Sequence, residues 1–220
     1  MRLLAFDTAT LLATSAVTDN ETVLARRQRQ VTTHSEGLLA LIDETLRAAE
    51  TGIAELDAIV CGRGPGSFTG LRIGLATAKG LCLAADKPLL CVSSLVGCAG
   101  AVAGAGHEGP VAVLLDARRD QVYCGLFDRL RLLEPEVLLE PAELRRHLGT
   151  RPSLVVAGDG ALRYHAEHFS DLPLAADACH AIEAEHLAFA ARARAAAGDF
   201  DDLERVVPTY LRPPDVRAPR

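Results

Sequence analysis

The sequence has 220 residues, of which 49% are hydrophobic and 24% are charged. An apolar share of this size supports a packed interior and excludes a largely disordered chain, and the length fits one domain or two small ones. With 23 Lys and Arg against 29 Asp and Glu, the net charge is −6, which argues against tight, autonomous binding to a phosphate backbone. There are six Phe, three Tyr and no Trp, so platforms for base stacking are scarce.

No segment of the sequence resembles a targeting or membrane signal. The apolar run 1–6 stops at Asp7, short of the roughly 7 to 15 apolar residues of a signal-peptide core, and no run of about 20 apolar residues occurs. The six cysteines form no Cys-x-x-Cys pair, and most lie in apolar runs, where we expect them to be reduced and buried. These features predict a cytoplasmic protein with no membrane association.

The first half of the chain predicts a three-stranded meander followed by alternating helices and strands. Helix one is expected to open at the capping box of Thr33 and Glu36 and to end near Gly52. Helix two is expected from about 71 to 85, and a helix of small residues from about 94 to 103. The apolar runs that predict strands are 3–6, 14–17, 22–29, 58–61 and 89–92.

The second half of the chain begins in the same way as the first. An apolar strand ending in Asp116 parallels the first strand, which ends in Asp7, and the offset between the two is 109 residues. It is followed by a strand at 121–127, a helix at 142–148, a strand at 154–157 and a helix at 184–197. We interpret this pattern as an internally duplicated α/β unit with its boundary in the Gly/Ala-rich segment before Pro110, giving lobes of 1–104 and 105–220.

A glycine-rich turn from Gly64 to Gly70 separates a predicted strand from helix two. Exposed backbone N–H groups and the helix dipole form an anion site at such a place. The turn lacks the lysine of Gly-x-x-x-x-Gly-Lys-Ser/Thr and has Ser67 where Gly-x-Gly-x-x-Gly requires glycine, so a tight turn without a ligand is the alternative. The residues that could form a vestigial nucleotide or phosphate site, here and at the other strand ends, are Asp7, Thr8, Gly64, Gly66, Ser67, Gly70, Gly158 and Gly160.

The sequence lacks the residue patterns that usually indicate a metal site or a catalytic nucleophile. The seven histidines form no His-Glu-x-x-His or His-x-x-x-His pair. Only His165 and His168 could share a helix face, where a solvated surface is the simpler interpretation. No Gly-x-Ser-x-Gly elbow occurs. The sequence therefore predicts neither a metal site nor a catalytic residue.

Helices one and two carry more apolar surface than contact with one sheet requires. Helix two is apolar on nearly every face, and Gly74, Ala78 and Gly80 would let a second backbone approach closely. This excess indicates a protein–protein interface; the alternative is that helix two lies between its own sheet and helix one. The candidate interface residues are His34, Leu38, Leu39, Ile42, Leu46, Leu71, Arg72, Leu75 and Ala78.

The stretch Gly64–Gly74, which reads GPGSFTGLRIG, resembles the corresponding motif of the TsaB (YeaZ) family, the dimerisation subunit of the bacterial tRNA threonylcarbamoyladenosine (t6A) machinery. Ala40 departs from the family pattern, in which proline often follows the two leucines. The likeness spans the whole chain, and its other motifs are Asp7–Thr10, His34–Glu36, Asp116–Arg119 and Pro208–Arg212.

The resemblance implies a fold, a function and a set of partners. The implied fold is α/β, of the actin, Hsp70 and sugar-kinase class, with two ribonuclease-H-like lobes. The implied role is that of a non-catalytic scaffold for threonylcarbamoyl transfer to N6 of adenosine 37 in tRNAs reading ANN codons. The partners would be a TsaD-like catalytic paralogue, which holds the metal and the active site, and a TsaE-like ATPase. Alone, the chain would form a homodimer through its first two helices, and it would reach tRNA only through the complex.

The resemblance implies no required cofactor, with weak ATP or ADP binding as a further expectation, and two other functions stay open. An ATP-dependent phosphotransferase or ATPase is disfavoured because Asp7–Thr10 lacks the glycine that lets a backbone wrap a phosphate. A metallopeptidase is disfavoured because paired histidines are missing. The run Arg26–Arg29 could contact tRNA phosphates, although a positively charged edge strand is the simpler interpretation.

Overall fold

A computed structural model of the protein describes residues 1–30 and 34–212, with side chains for 1–30 and 37–212. The capping box predicted for Thr33 and Glu36 and the side chain of His34 lie outside this part. The described chain forms two α/β lobes, each built on a five-stranded sheet. Within the described residues no helix combines the length and the hydropathy needed to cross a bilayer.

The elements of the first half are β1 (Arg2–Asp7), β2 (Leu12–Asp19), β3 (Thr22–Gln30), α1 (His34–Ala48), β4 (Ala58–Gly62), α2 (Phe68–Ala85), β5 (Leu89–Val92) and α3 (Val96–Gly104). The first sheet is centred on β1, which pairs antiparallel with β2 and parallel with β4. Its strand order is β3-β2-β1-β4-β5. Leu4 and Phe6 of β1 are buried on one face and Leu3 and Ala5 on the other, which explains the continuous apolar run.

The second sheet repeats the pairing of the first. The elements of the second half are β6 (Val111–Arg118), β7 (Gln121–Asp128), β8 (Arg131–Leu132), β9 (Val137–Leu139), α4 (Leu144–Leu148), β10 (Val155–Ala157), α5 (Asp159–His168) and α6 (Ala184–Ala196). β6 pairs antiparallel with β7 and parallel with β10, as β1 does with β2 and β4, so the predicted duplication is present in the strand pairing. Sequence analysis did not predict α5, because only Gly160, Ala161 and Tyr164 are buried and its apolar periodicity is weak.

The helices do not follow the predicted division into 1–104 and 105–220. α6, from the second half of the chain, lies on the first sheet, where Leu187 and Ala188 share a buried cluster with Leu3. α3, from the first half, packs against α6 and against the second sheet. The prediction of two lobes separated at that boundary is therefore corrected, because each half of the chain supplies a helix to the other half's sheet.

Glycines in α3 allow α6 to approach closely. A Cβ atom at Gly97 would lie 2.6 Å from Ile182 Cγ2, and one at Gly100 would lie 2.4 Å from His186 Cγ. Both distances are shorter than a carbon–carbon contact permits, so no larger residue fits there without movement. The small-residue composition of α3 is therefore required by the junction between the lobes.

The six cysteines are free and buried, as predicted. Burial raises the pKa of Cys82 to about 11 and that of Cys91 and Cys124 to about 12. A thiol with such a pKa is protonated at neutral pH and reacts slowly. These cysteines therefore serve as small core residues.

Candidate functional site

A cavity of about 900 Å³ lies between the lobes. The first lobe lines it with Leu11, after β1, and Phe68, at the start of α2. The second lobe lines it with Asp116, near the end of β6, and His180, before α6, and Tyr210 closes a further side. The cavity thus lies where the turns that follow the repeated first strands meet, the usual position of a ligand in open α/β folds.

Asp7, at the end of β1, is fully buried and lies outside the cavity lining. Its Oδ1 accepts from the Ala9 N–H at 2.7 Å, and its Oδ2 accepts from the Ser94 hydroxyl. Ser94 Oγ in turn accepts from the Gly64 N–H at 3.0 Å. Burial raises the pKa of Asp7, and the two hydrogen bonds oppose it. The carboxyl group therefore joins β1 to two turns inside the lobe.

The glycine turn packs onto the loop after β1. Thr8 Oγ1 donates to Gly70 O at 2.8 Å, and the Ser67 N–H donates to Ala9 O at 2.7 Å. A Cβ at Gly70 would lie 2.0 Å from Thr8 O, and one at Gly66 would lie 2.5 Å from Ala9 Cβ. The glycines are therefore required by close backbone approach, which supports a tight turn. Of these five residues, Ser67, Gly66 and Ala9 also line the cavity.

Ser67 also fixes the start of α2. Its hydroxyl accepts from the Gly70 N–H at 3.3 Å, and its carbonyl accepts from the Leu71 N–H at 2.9 Å. This N-cap begins the helix at Phe68, earlier than the predicted start near 71. Two of the first amide groups of α2 are thus satisfied within the turn.

The corresponding turn of the second lobe is built in the same way. A Cβ at Gly158, whose φ is +100°, would lie 2.1 Å from Leu114 O, and Gly160 also approaches the backbone of β6. Asp159, between them, lines the cavity, and its Oδ1 accepts from the Asp116 N–H at 2.9 Å. Burial raises the pKa of Asp159. The two glycines therefore serve the packing of the turn, and Asp159 is the residue that faces the cleft.

Two further polar side chains of the cleft form ion pairs or hydrogen bonds with neighbouring residues. Asp116 Oδ2 lies 3.4 Å from Arg118 Nη1 and 3.2 Å from Arg163 Nη1, on α5. His180 Nδ1 accepts from the Gly158 N–H at 3.2 Å, an arrangement that requires an unprotonated Nδ1. Among the described residues, no group of three or more His, Cys, Asp or Glu is placed to hold a metal ion. Sequence analysis missed Arg163 and His180, because nothing in their local sequence connects them to Asp116 or Gly158.

Most of the candidate interface residues lie inside the first lobe. Leu39 and Arg72 are exposed, Leu46 is half-buried, and the side chain of His34 is outside the described residues. The remainder pack in the lobe's own core, where the sheet covers them, so their assignment to a partner surface is corrected. These buried residues are Leu38, Ile42, Leu71, Leu75 and Ala78.

The outward face of the two helices carries a different set of small and apolar residues. Ala76, Gly80 and Ala84 are exposed and follow one another at four-residue spacing along α2. Leu83 beside them is 73% exposed, and Leu39 on α1 is 57% exposed. We call these five residues the outer stripe. It has the small-residue spacing that lets two helices pack closely, with leucines for apolar contact.

Gly80 is not explained by packing within the protein. A Cβ at Gly80 would meet no heavy atom of residues 1–30 and 37–212 within 4 Å, whereas one at Gly74, on the inner face of α2, would lie 2.3 Å from Thr8 Oγ1. Glycine inside a helix costs about 0.5–1 kcal/mol relative to alanine. The inner glycine is thus required by the lobe, and the outer one is free for contact with another molecule.

Comparisons with known proteins give a matching family model and named relatives. Residues 28–210 match the family model described as TsaD: tRNA N6-adenosine threonylcarbamoyltransferase. The chain is 31% identical to the Bacillus subtilis "tRNA threonylcarbamoyladenosine biosynthesis protein TsaB", over 99% of this chain and 97% of that protein. It is 36% identical to the Escherichia coli protein of the same name, over 59% of this chain and 56% of that protein, so this second match spans about half of the relative.

Solved structures give the same result. "YeaZ from Pseudomonas aeruginosa" has a TM-score of 0.81 and 31% identity, covering 95% of this chain and 100% of that chain. An activator of 2-hydroxyisocaproyl-CoA dehydratase from Clostridium difficile has a TM-score of 0.61 and 11% identity, over 90% of this chain and 97% of that chain, and shows the fold alone. The fold is the expected two-lobed α/β fold, shared with these solved structures, and the chain belongs to the TsaB (YeaZ) family.

Proposed function

We propose that this chain takes part in the biosynthesis of threonylcarbamoyladenosine in tRNA as a non-catalytic subunit that binds and activates a TsaD-like catalytic paralogue. The pathway is supported by the names of the relatives, two of which are called tRNA threonylcarbamoyladenosine biosynthesis protein TsaB. The observation that carries the scaffold role is the outer stripe, an apolar helical surface that the described residues leave exposed.

The outer stripe suits a helix from a partner. Ala76, Gly80 and Ala84 are small residues that let a second helix approach α2, while Leu83 on α2 and Leu39 on α1 add exposed apolar area. A helical interface of this kind buries about 1,200–2,000 Å² in total. The same surface serves a homodimer when the chain is alone and the heterodimer with the paralogue in the working complex. A TsaE-like ATPase then joins the assembled pair, and tRNA is reached through the complex.

The residues that follow β1 support a role without catalysis. Asp7 is enclosed by Ser94, and Thr8 donates to the glycine turn, so neither presents a free group to a phosphate. A phosphotransferase requires such a carboxylate to hold its metal–nucleotide. We therefore propose that no cofactor is required and that ATP or ADP binds only weakly within the 900 Å³ cleft.

Introducing a negative charge on the outer stripe tests the proposed scaffold role. Leu83→Glu and Gly80→Glu place a carboxylate on the surface without touching the core, because both positions face outward. We expect affinity for the TsaD-like paralogue, measured by calorimetry, to fall about tenfold or more, because burying an unpaired charge opposes association. Formation of t6A in a reconstituted tRNA assay should fall in parallel.

The matched control is Leu162→Glu, at a leucine on α5 that is 52% exposed and lies in the other lobe. This variant should bind the paralogue as the parent does. The proposal is refuted if the stripe variants bind with unchanged affinity, or if t6A forms equally well with and without this chain.

A further inference from the structure

The segment Thr209–Arg212, here called the strap, runs beside the cleft from one lobe to the other. Thr209, Tyr210 and Arg212 line the cavity, and no helix or strand includes them. The strap forms part of a motif that sequence analysis singled out, and the proposed function makes no use of it. Its contacts with both lobes indicate a role of its own.

The first end of the strap is attached to the first lobe. The Thr209 N–H donates to Arg63 O, just past β4, at 2.7 Å. The Tyr210 ring lies 5.0 Å from the Phe68 ring, and Arg72 Nε donates to Tyr210 Oη at 3.0 Å. The Arg72 guanidinium also covers the Phe68 ring at 3.8 Å. The strap is therefore held at the first turn of α2.

The second end of the strap is attached to the second lobe. Arg212 Nη1 donates to Ala117 O at 2.7 Å, and its Nη2 donates to Arg118 O at 3.2 Å and to the Gln121 side chain. These acceptors lie at the end of β6 and the start of β7, on either side of the turn that joins the two strands. A planar guanidinium matches two adjacent carbonyl groups in a way that an ammonium does not. Leu211, between the two ends, packs against the buried cluster shared by the lobes.

The strap connects the lobes at a place apart from the packed helices α3 and α6. An opening of the cleft that moves the adjoining ends of β6 and β7 away from α2 would have to break the contacts at one end of the strap. We propose that the strap is an interlobe latch, in which Arg212 and Tyr210 fix the width of the cleft and limit entry to it. This role does not depend on the outer stripe or on any partner.

Access to the cleft can be measured with a single introduced thiol. Ala181 lines the cavity and is partly exposed, so Ala181→Cys reports entry, while the six native cysteines are buried and react slowly. We expect a bulky maleimide to modify Ala181→Cys about tenfold faster or more when Arg212→Ala is added, because the latch then opens more often. Arg205→Ala removes the same charge from a side chain that is 89% exposed, and it should leave the rate unchanged.

Two further variants keep the test decisive. Arg212→Lys retains the charge but not the paired carbonyl contacts, so it should label nearly as fast as Arg212→Ala. Tyr210→Ala removes the contacts with Phe68 and Arg72 alone and should also accelerate labelling, which decides the question if Arg212→Ala fails to fold. Equal labelling of Ala181→Cys with and without these changes would overturn the latch. An acceleration shared equally by the native cysteines would overturn it as well, since it would report general unfolding.

Discussion

At the scale of single residues, Asp7 illustrates how a charged group becomes part of a core. Its two oxygens accept from the Ala9 amide and the Ser94 hydroxyl, and the surrounding strands remove it from water. Two hydrogen bonds compensate only in part for the lost hydration of a carboxylate, so its ionised form is disfavoured and its pKa is raised. The unfolding free energy of the protein should therefore depend on the charge of this one group.

We predict that Asp7→Asn gains stability relative to the parent as the pH rises. Below the ordinary pKa of 3.8, the Asp7 carboxyl is protonated in both the folded and the unfolded protein. Above it, the unfolded chain ionises first, so the parent loses stability until the pH passes the raised pKa of the folded state, while asparagine stays neutral. Urea unfolding of both proteins between about pH 3.5 and pH 7 measures the difference, which changes by at most about 1.4 kcal/mol per pH unit. A difference that stays constant or shrinks as the pH rises would contradict this account.

At the scale of elements, α2 has two faces that its composition does not distinguish. The inner face presents Gly74 to Thr8 and buries Leu71 and Leu75, whereas the outer face leaves Gly80 open. Both faces are made of small and apolar residues, so the same hydrophobicity covers a core on one side and a free surface on the other. Which face of α2 is buried depends on its contact with the loop after β1, and that loop touches the inner face at Gly74.

We predict that alanine has opposite effects at the two glycines of α2. Gly74→Ala places a methyl group 2.3 Å from Thr8 Oγ1, and this overpacking should lower the unfolding free energy by about 1–3 kcal/mol. Gly80→Ala meets no neighbour within 4 Å and should raise it by about 0.4–1 kcal/mol, because the unfolded chain loses freedom. Urea unfolding in dilute solution measures both changes, and each variant serves as the control for the other. If both substitutions changed the unfolding free energy by the same amount and in the same direction, the two faces of α2 would not differ in packing and the prediction would be wrong.

The helices also show how far the sequence predicts this molecule. Apolar periodicity predicted α1, α2 and α6 and the principal strands, because each of these signals is local. It assigned Leu75 and Ala78 to a partner surface, since a helix that is apolar all round carries no information about which side meets its own sheet. Likewise, the hydrogen bond from Ser94 to Asp7 spans 87 positions, and no local pattern announces it.

At the scale of the whole molecule, the two halves are joined by an exchange of helices. α6 covers the first sheet, and α3 lies between α6 and the second sheet. The strand repeat at an offset of 109 residues predicted two lobes, but the exchange depends on contacts between segments far apart in the chain. Each sheet is therefore covered in part by a helix from the other half.

We predict that residues 1–104 do not fold alone. Without α6, one face of the first sheet would expose Leu3 and Ala5 to water, and these are fully buried in the complete chain. Joining 1–95 to 184–212 through a flexible linker should restore a cooperative thermal transition, because Leu187 then covers that face and Val206 packs on the opposite one. Far-UV circular dichroism melts of the two proteins measure this. If residues 1–104 melt as cooperatively as the joined protein, α6 is dispensable and the helix exchange does not determine the folding unit.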